Sequence, residues 1–270
     1  MRSFLLILGV SVAIAGPGAS VLVGQNGTNG HAAAVADTYP TATPVPFGPG
    51  ESLDYQVKLG MFGVGGGHLT VIGIDSVRGH PTYHVEMGMS GGIPFARVED
   101  SFQSWIDLRS LVSRRFIKDQ KEAGYEKYQH FEFFPEERRF ERGDNDETGT
   151  LPTSLPLDDI SFVYFVRSLP LEVGREYTLH RYFEESGNPV VIRVLRKDRV
   201  EVPAGEFDTI VVQPIIRTSG LWSEGGEAEI HFSDDANRFV VYMKADVPNF
   251  PGALSLHLRG IEQGTPLTPR

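Results

Sequence analysis

"ESLDYQVKL", residues 51–59, decides the fold class, because its side chains alternate with a period of two. Leu53, Tyr55, Val57 and Leu59 fall on one face, and Ser52, Asp54, Gln56 and Lys58 on the other. Such alternation marks a β-strand with one face in a core and the other in water. "TYHVEMGM" (82–89) repeats it, with Tyr83, Val85, Met87 and Met89 opposite His84 and Glu86. In "ALSLHLRG" (253–260), Leu254, Leu256 and Leu258 oppose Ser255, His257 and Arg259.

Similar runs lie near 69–75, 97–108, 111–118, 125–134, 177–183, 190–197, 207–216, 227–232 and 238–246. Turn signals separate many of them, among them "RGHP", "SGNP", "VPAGE" and "SDDAN". In "VEVPAGEFDTIVV" (200–212), Pro203 presets a type I turn and Gly205 supplies the left-handed residue after it. Glu201, Glu206 and Asp208 then trim a hairpin rather than form a catalytic cluster. One helix is predicted near 159–168, capped by Asp158 or Asp159 and stopped by Pro170. It is apolar on nearly every side, so it belongs in the interior. The expectation is a mainly all-β protein: a curved antiparallel sheet or incompletely closed β-barrel, with one buried helix on its concave face.

The flanks read differently. Arg2, the apolar run Phe4–Ala15 and the small residues Gly18-Ala19-Ser20 form a signal peptide over 1–20. An uncleaved anchor is the alternative, but Gly16, Pro17 and Gly18 disfavour a regular spanning helix. Residues 21–50, rich in Pro, Gly, Ala and Thr, read as a tether, 51–263 as a single β-rich domain, and 264–270 as a tail. No later stretch is long and apolar enough to span a bilayer, so no transmembrane segment is expected after cleavage. The chain has no cysteine, which excludes disulfides, thiolate chemistry and a lipidated N-terminal cysteine. Its 35 Asp and Glu against 25 Lys and Arg leave a formal charge of −10, a field unfavourable to nucleic acid.

Several motifs imitate reaction chemistry. "GMSGG" (88–92) matches G-x-S-x-G, yet Ile93 and Pro94 lead into another strand rather than the helix an elbow needs. "GVGGGH" (63–68) lacks the Lys-Ser/Thr and helix of a phosphate loop and reads as a bulge or tight bend. "DNDETG" (144–149) begins like a calcium loop, but Leu155 stands where a twelfth, acidic ligand is required. His80 and His84 are four apart on a strand, where that spacing carries no zinc geometry. No metal or other cofactor is predicted.

Three aromatic residues are candidates for ligand binding. Trp105 lies on the polar face of "SFQSWIDL", Trp222 lies in a loop, and Tyr164 sits on a helix placed to line or lid a cavity. Both tryptophans also fit a covering, structural role.

Five stretches together resemble the domain of unknown function 3108 family of bacterial exported proteins. They are "PFGPGESLDYQVKLGMFGVGGGHL", "EDSFQSWIDLRSLVSRRF", "DDISFVYFVRSLPLEVGREY", "VEVPAGEF" and "IHFSDDANRFVVYMKAD", in order over residues 46–246. The resemblance implies a signal peptide, a mainly antiparallel β fold and an envelope location, periplasmic or secreted. It transfers no activity. The expected function is therefore a non-enzymatic protein whose apolar interior binds a lipid-like ligand or docks an envelope partner. The alternatives are a glycan hydrolase using Asp235 with Glu229 or Asp234, and a purely structural scaffold.

Overall fold

The computed structural model describes residues 44–93, 96–122, 124–216, 228–246 and 252–267. Its strands are β1 (Ser52–Leu59), β2 (Phe62–Val77), β3 (His80–Ile93), β4 (Ala96–Asp107), β5 (Ser113–Glu122), β6 (Tyr125–Phe134), β7 (Arg139–Arg142) and β8 (Thr148–Thr150). The helix α1 (Asp159–Arg167) follows, and then β9 (Glu176–Leu179), β10 (Val190–Val202), β11 (Gly205–Ile215), β12 (Glu229–Ser233), β13 (Val240–Asp246) and β14 (Ala253–Glu262). All fourteen form one antiparallel sheet in the order β8-β7-β6-β5-β4-β3-β2-β1-β14-β13-β12-β11-β10-β9. Every neighbouring pair is consecutive in the chain except β1 with β14. Two meanders are thus welded along one long-range seam. The sheet stays open between β8 and β9, where Leu157 bridges to Tyr182 and its N–H reaches the Arg181 carbonyl at 2.7 Å.

The two-residue period fixes which face is inside. Leu53, Tyr55, Val57 and Leu59 are all buried, as are Tyr83, Val85, Met87 and Met89, and Leu254, Leu256 and Leu258. Each such side chain removed from water contributes roughly 1.5–3 kcal/mol. Across the seam Val57 pairs with Leu256 and Leu59 with Leu254, so the inward faces of the two meanders are continuous.

The helix closes the interior because its sequence offers no polar face. Ile160 to Arg167 are all buried. Asp158 is the cap: its Oδ1 accepts from the N–H groups of Ile160 and Ser161, both at 2.8 Å. Ser161 Oγ accepts in return from the Asp158 N–H at 2.7 Å, completing a capping box. The other oxygen, Oδ2, accepts from Ser104 Oγ at 2.6 Å and Ser113 Oγ at 2.5 Å. One carboxylate thereby starts the helix and ties it to β4 and β5. Burial still outweighs these four bonds and pushes the Asp158 carboxyl up to about 6.

Residues on both flanks of the sheet pack onto it. Phe47 is 1% exposed, with its ring 4.8 Å from Tyr164 and 5.2 Å from Tyr83, edge to face. The Thr265 N–H donates to the Pro49 carbonyl at 3.1 Å, and Leu267 touches the core. The packed unit therefore takes in residues 44–50 and 264–267, which composition alone assigned to a tether and a tail.

The hairpin at 202–205 has the predicted form. Val202 pairs with Gly205, whose φ is +127°, and Pro203-Ala204 make the turn. Glu201, Glu206 and Asp208 are exposed, and Glu206 accepts from Arg199 Nη2 at 2.9 Å.

Candidate functional site

One row of paired residues can be followed through eleven strands on the concave face. It runs Tyr125, Glu122, Val98, Gly91, Gly65, Val57, Leu256, Met243, Ile230, Val212 and Val194, from β6 back to β1 and on to β10. From Val57 to Val194 the row is entirely apolar. At Gly65 and Gly91 it contributes no side chain. At Glu122 and Tyr125 it turns polar. β1, β3, β5, β11 and β13 end, and β2, β4, β6, β12 and β14 begin, at this end of the sheet, so the row lies near its rim. The opposite end is filled by α1.

One step deeper on the polar side, Asp100 pairs with Gln120 across β4 and β5, and Met89 pairs with Asp100 from β3. Asp100, Gln120 and Glu122 are all buried, Gln120 with no exposure at all. Asp100 and Glu122 share a hydrogen bond, and two carboxyls can do so only if one holds a proton. Burial raises Asp100 to about 6, against the opposing Lys121 N–H that donates to its Oδ1 at 3.1 Å. Burial raises Glu122 to about 7, reinforced by the charge of Asp100. Between about pH 6 and 7 the pair therefore carries close to one negative charge.

Gln120 Oε1 and Nε2 are buried without a hydrogen-bond partner, and Asp100 Oδ2 and Glu122 Oε1 find none outside the acid pair. Leaving a buried polar atom unmade costs about 1–3 kcal/mol. Such groups are rare, and Gln120 carries two of them on one side chain. Below them Lys118 is already committed, its Nζ 3.0 Å from Asp159 Oδ2, while the Tyr182 hydroxyl donates to Asp159 Oδ1 at 2.6 Å. Glu184, also near this end, is raised chiefly by burial and next by Asp159.

Behind the trio, the outer face of β2–β5 carries an open polar groove of about 400 Å³. His68, Glu86, Ser101, Asp119, Lys121 and Arg259 are among its walls, and Gly66 and Gly88 lie in its floor. The His68 ring lies over Gly88, where an added Cβ would stand 2.2 Å from it. Ser101 Oγ donates to Glu86 Oε1 at 2.7 Å, and His68 Nε2 lies 3.7 Å from Glu86 Oε2.

The motifs that imitate catalytic loops are two halves of one ladder. Gly65 pairs with Gly91, Gly66 with Ser90, Gly67 with Met89 and His68 with Gly88. A Cβ on Gly65 would meet the Ser90 carbonyl at 2.1 Å, and one on Gly91 the Val64 carbonyl at 2.2 Å. Close backbone approach accounts for the glycines, and Ser90 lies in a strand rather than at an elbow. In the acidic loop, Asp144 Oδ1 accepts from the His130 N–H at 2.8 Å and from Arg142 Nε at 2.8 Å.

The predicted site residues are not brought together. Trp105 faces outward, as its alternation implies, but its ring is covered. His84 stacks on it at 4.2 Å, the Arg115 guanidinium lies 5.2 Å from it, and its Nε1 donates to Asp75 at 2.9 Å. Tyr164 is fully buried on the other side of the sheet, beside Phe47, with its hydroxyl unpartnered. Burial raises that hydroxyl far above the ordinary tyrosine range. Trp222 lies outside the described residues. The acids of the hydrolase alternative are separated too. Glu229 takes both guanidinium nitrogens of Arg196, at 2.9 and 3.1 Å, at one end of β12. Beyond the other end, Asp235 Oδ1 caps a turn through Ser233 Oγ and the Asn237 and Arg238 N–H groups, while Asp234 pairs with Lys197.

Sequence reasoning passed over Asp100, Gln120 and Glu122, though a signal was present. Asp100 shares the parity of Phe102, and Gln120 and Glu122 that of Phe116, so polar residues occupy positions an apolar interior would fill.

The chain belongs to the family described as Protein of unknown function (DUF3108), whose model matches residues 54–259. No curated protein matches it. Among solved structures it is similar to a β-barrel-like protein of the domain of unknown function DUF1849 from Brucella abortus. That match has 10% identity and a TM-score of 0.51, over 81% of this chain and 99% of that one. Weaker likeness links it to a candidate lipoprotein from Parabacteroides distasonis (10% identity, TM-score 0.36, 82% and 100% covered). A candidate exported protein with a YmcC-like fold from Bacteroides fragilis is similar at 12% identity and TM-score 0.30, with 81% and 98% covered. The first of these likenesses extends to the β-barrel-like fold and no further.

Proposed function

We propose that this member of the DUF3108 family is an exported, non-catalytic binding protein that holds a small amphiphile at the mouth of its curved sheet. The observation that carries this reading is the row of inward residues, apolar from β1 round to β10 and polar at β5 and β6. A ligand with an apolar body and a polar end is the complement of such a wall. Export is supported by Arg2, the apolar run Phe4–Ala15 and the small residues after it. Among the described residues no helix is long and apolar enough to cross a membrane. Against a hydrolase stand the engaged carboxylates of Glu229, Asp234 and Asp235, each with its own partners.

Native mass spectrometry of the protein purified from the envelope fraction without detergent tests the proposal. A bound mass of a few hundred daltons, lost on mild unfolding, is the expected result. Repeated ligand-free spectra, together with failure to take up added decanol, would overturn it in favour of a scaffold.

A further inference from the structure

We propose that the β1–β2 hairpin is a bilayer-docking tip: Met61 and Phe62 dip into a zwitterionic lipid surface and set the rim of the sheet against it. The proposal stands whether or not the row below the rim holds a ligand.

Met61 is 91% exposed and Phe62 72%, the two most exposed large hydrophobic side chains among the described residues. They are neighbours at the end of a hairpin, where the fold itself gains nothing from an apolar side chain. Leu59 pairs with Phe62, so Gly60 and Met61 make a two-residue loop, with Gly60 at φ +59°. Paired residues share a face, so Phe62 stands on the concave side beside the buried Leu59. Leu59 pairs in turn with Leu254 of β14, and Val57 with Leu256. An apolar strip therefore runs from the row at Val57, over Leu59, to the tip.

The shape of the tip fits lipid better than protein. It is convex and two side chains wide, whereas a stable protein interface takes about 800 Å² from each partner. Its backbone can leave water at little cost. The Leu59–Phe62 pair closes the loop, and the Gly60 N–H donates to the Ala253 carbonyl at 2.9 Å. Lys58, on the outward face one residue before Leu59, has a stem long enough to hold its ammonium at head-group level. The formal charge of −10 selects the surface, since an anionic bilayer repels such a chain and a zwitterionic one does not. Two inserted side chains make a weak, reversible contact rather than an anchor.

The test is flotation of the protein purified from the envelope fraction with phosphatidylcholine vesicles at physiological ionic strength. Reversible partition is expected. Met61→Ser combined with Phe62→Ser should lower the partition coefficient at least about tenfold. The melting temperature should not move, because both side chains are already in water. Phe62→Trp should keep the binding, and its added emission should shift to the blue on vesicles and be quenched by brominated lipid. Absence of partition would overturn the inference. So would undiminished partition of the double serine variant, which would place the contact in the apolar run Phe4–Ala15. Binding confined to phosphatidylglycerol vesicles would overturn it as well. A dimer abolished by the double change, with no partition, would assign the tip to a second copy of the chain instead.

Discussion

Arg167, in the last turn of α1, forms a two-pronged ion pair with Glu51 at the foot of β1, Nη1 to Oε1 at 2.5 Å and Nη2 to Oε2 at 2.9 Å. The arginine is fully buried, and its Nη2 also reaches the carbonyls of Pro46 at 3.3 Å and Asn237 at 3.1 Å. One side chain thus gathers the segment before β1, the helix and the β12–β13 turn.

Removing one member of this pair strands the other charge in the core. Glu51→Ala or Arg167→Ala should lower unfolding free energy by about 3–5 kcal/mol, read from urea denaturation. The double change Glu51→Leu with Arg167→Met should lose clearly less than the two single losses combined, because no charge remains unpaired. Additive losses in the double variant would mean that packing, not pairing, is what the residues contribute.

Asp158→Ala removes a helix cap and leaves the hydroxyls of Ser104 and Ser113 without their shared acceptor. A loss of about 3 kcal/mol is expected from the cap and the orphaned groups together. Asp159→Ala lies one residue on and should cost less, since α1 keeps its cap. Equal losses in the two variants would contradict the assignment of Asp158 as the helix anchor.

The raised carboxyls give stability an unusual slope with pH. For Asp100, Glu122 and Asp158 the folded protein holds its proton more tightly than the unfolded chain does. Their contribution is complete below the unfolded values near 4 and is lost as pH rises through about 6 to 7. The ion-paired acids, such as Glu132 and Glu229, are lowered instead, so their contribution is complete above about pH 4.5 and is lost only as pH falls below it. Melting temperature without ligand should therefore fall by a few degrees between pH 5 and 7.5, and Glu122→Gln should flatten that fall. A flat wild-type profile, or an unchanged slope in the variant, would show that the acid pair is not buried as described.

Gly65→Ala should destabilise the fold, because the new Cβ would press on the Ser90 carbonyl of the neighbouring strand. A loss of roughly 2 kcal/mol or more is in keeping with a forced backbone shift. Ser90→Ala, on the same ladder, should change stability by less than about 0.5 kcal/mol. Loss of any esterase activity on p-nitrophenyl acetate in Ser90→Ala would restore the elbow reading of "GMSGG".

The local rules were legible in the sequence, and the long-range ones were not. The inward faces of β1, β3 and β14 follow from alternation, and α1 follows from Asp158, its apolar sides and Pro170. The pairing of "GVGGGH" with "GMSGG" was invisible, because each stretch explains the other only once β2 and β3 are side by side. Trp105 was assigned to the outer face, but no spacing rule shows that His84 and Arg115 cover its ring. Asp100, Gln120 and Glu122 had the parity of interior residues. Recognising them as one group needed the β4–β5 register.

The single seam between β1 and β14 has a consequence for the order of events in folding. Every other strand pair joins neighbours in the chain and closes a short loop, whereas this one closes a loop of about two hundred residues. Neither meander can seal its inward apolar face alone, since Val57 and Leu59 meet Leu256 and Leu254 only when the last strand arrives. The two halves are therefore expected to form before the seam closes, and until residues 253–262 are available the inward face of β1 stays unsealed.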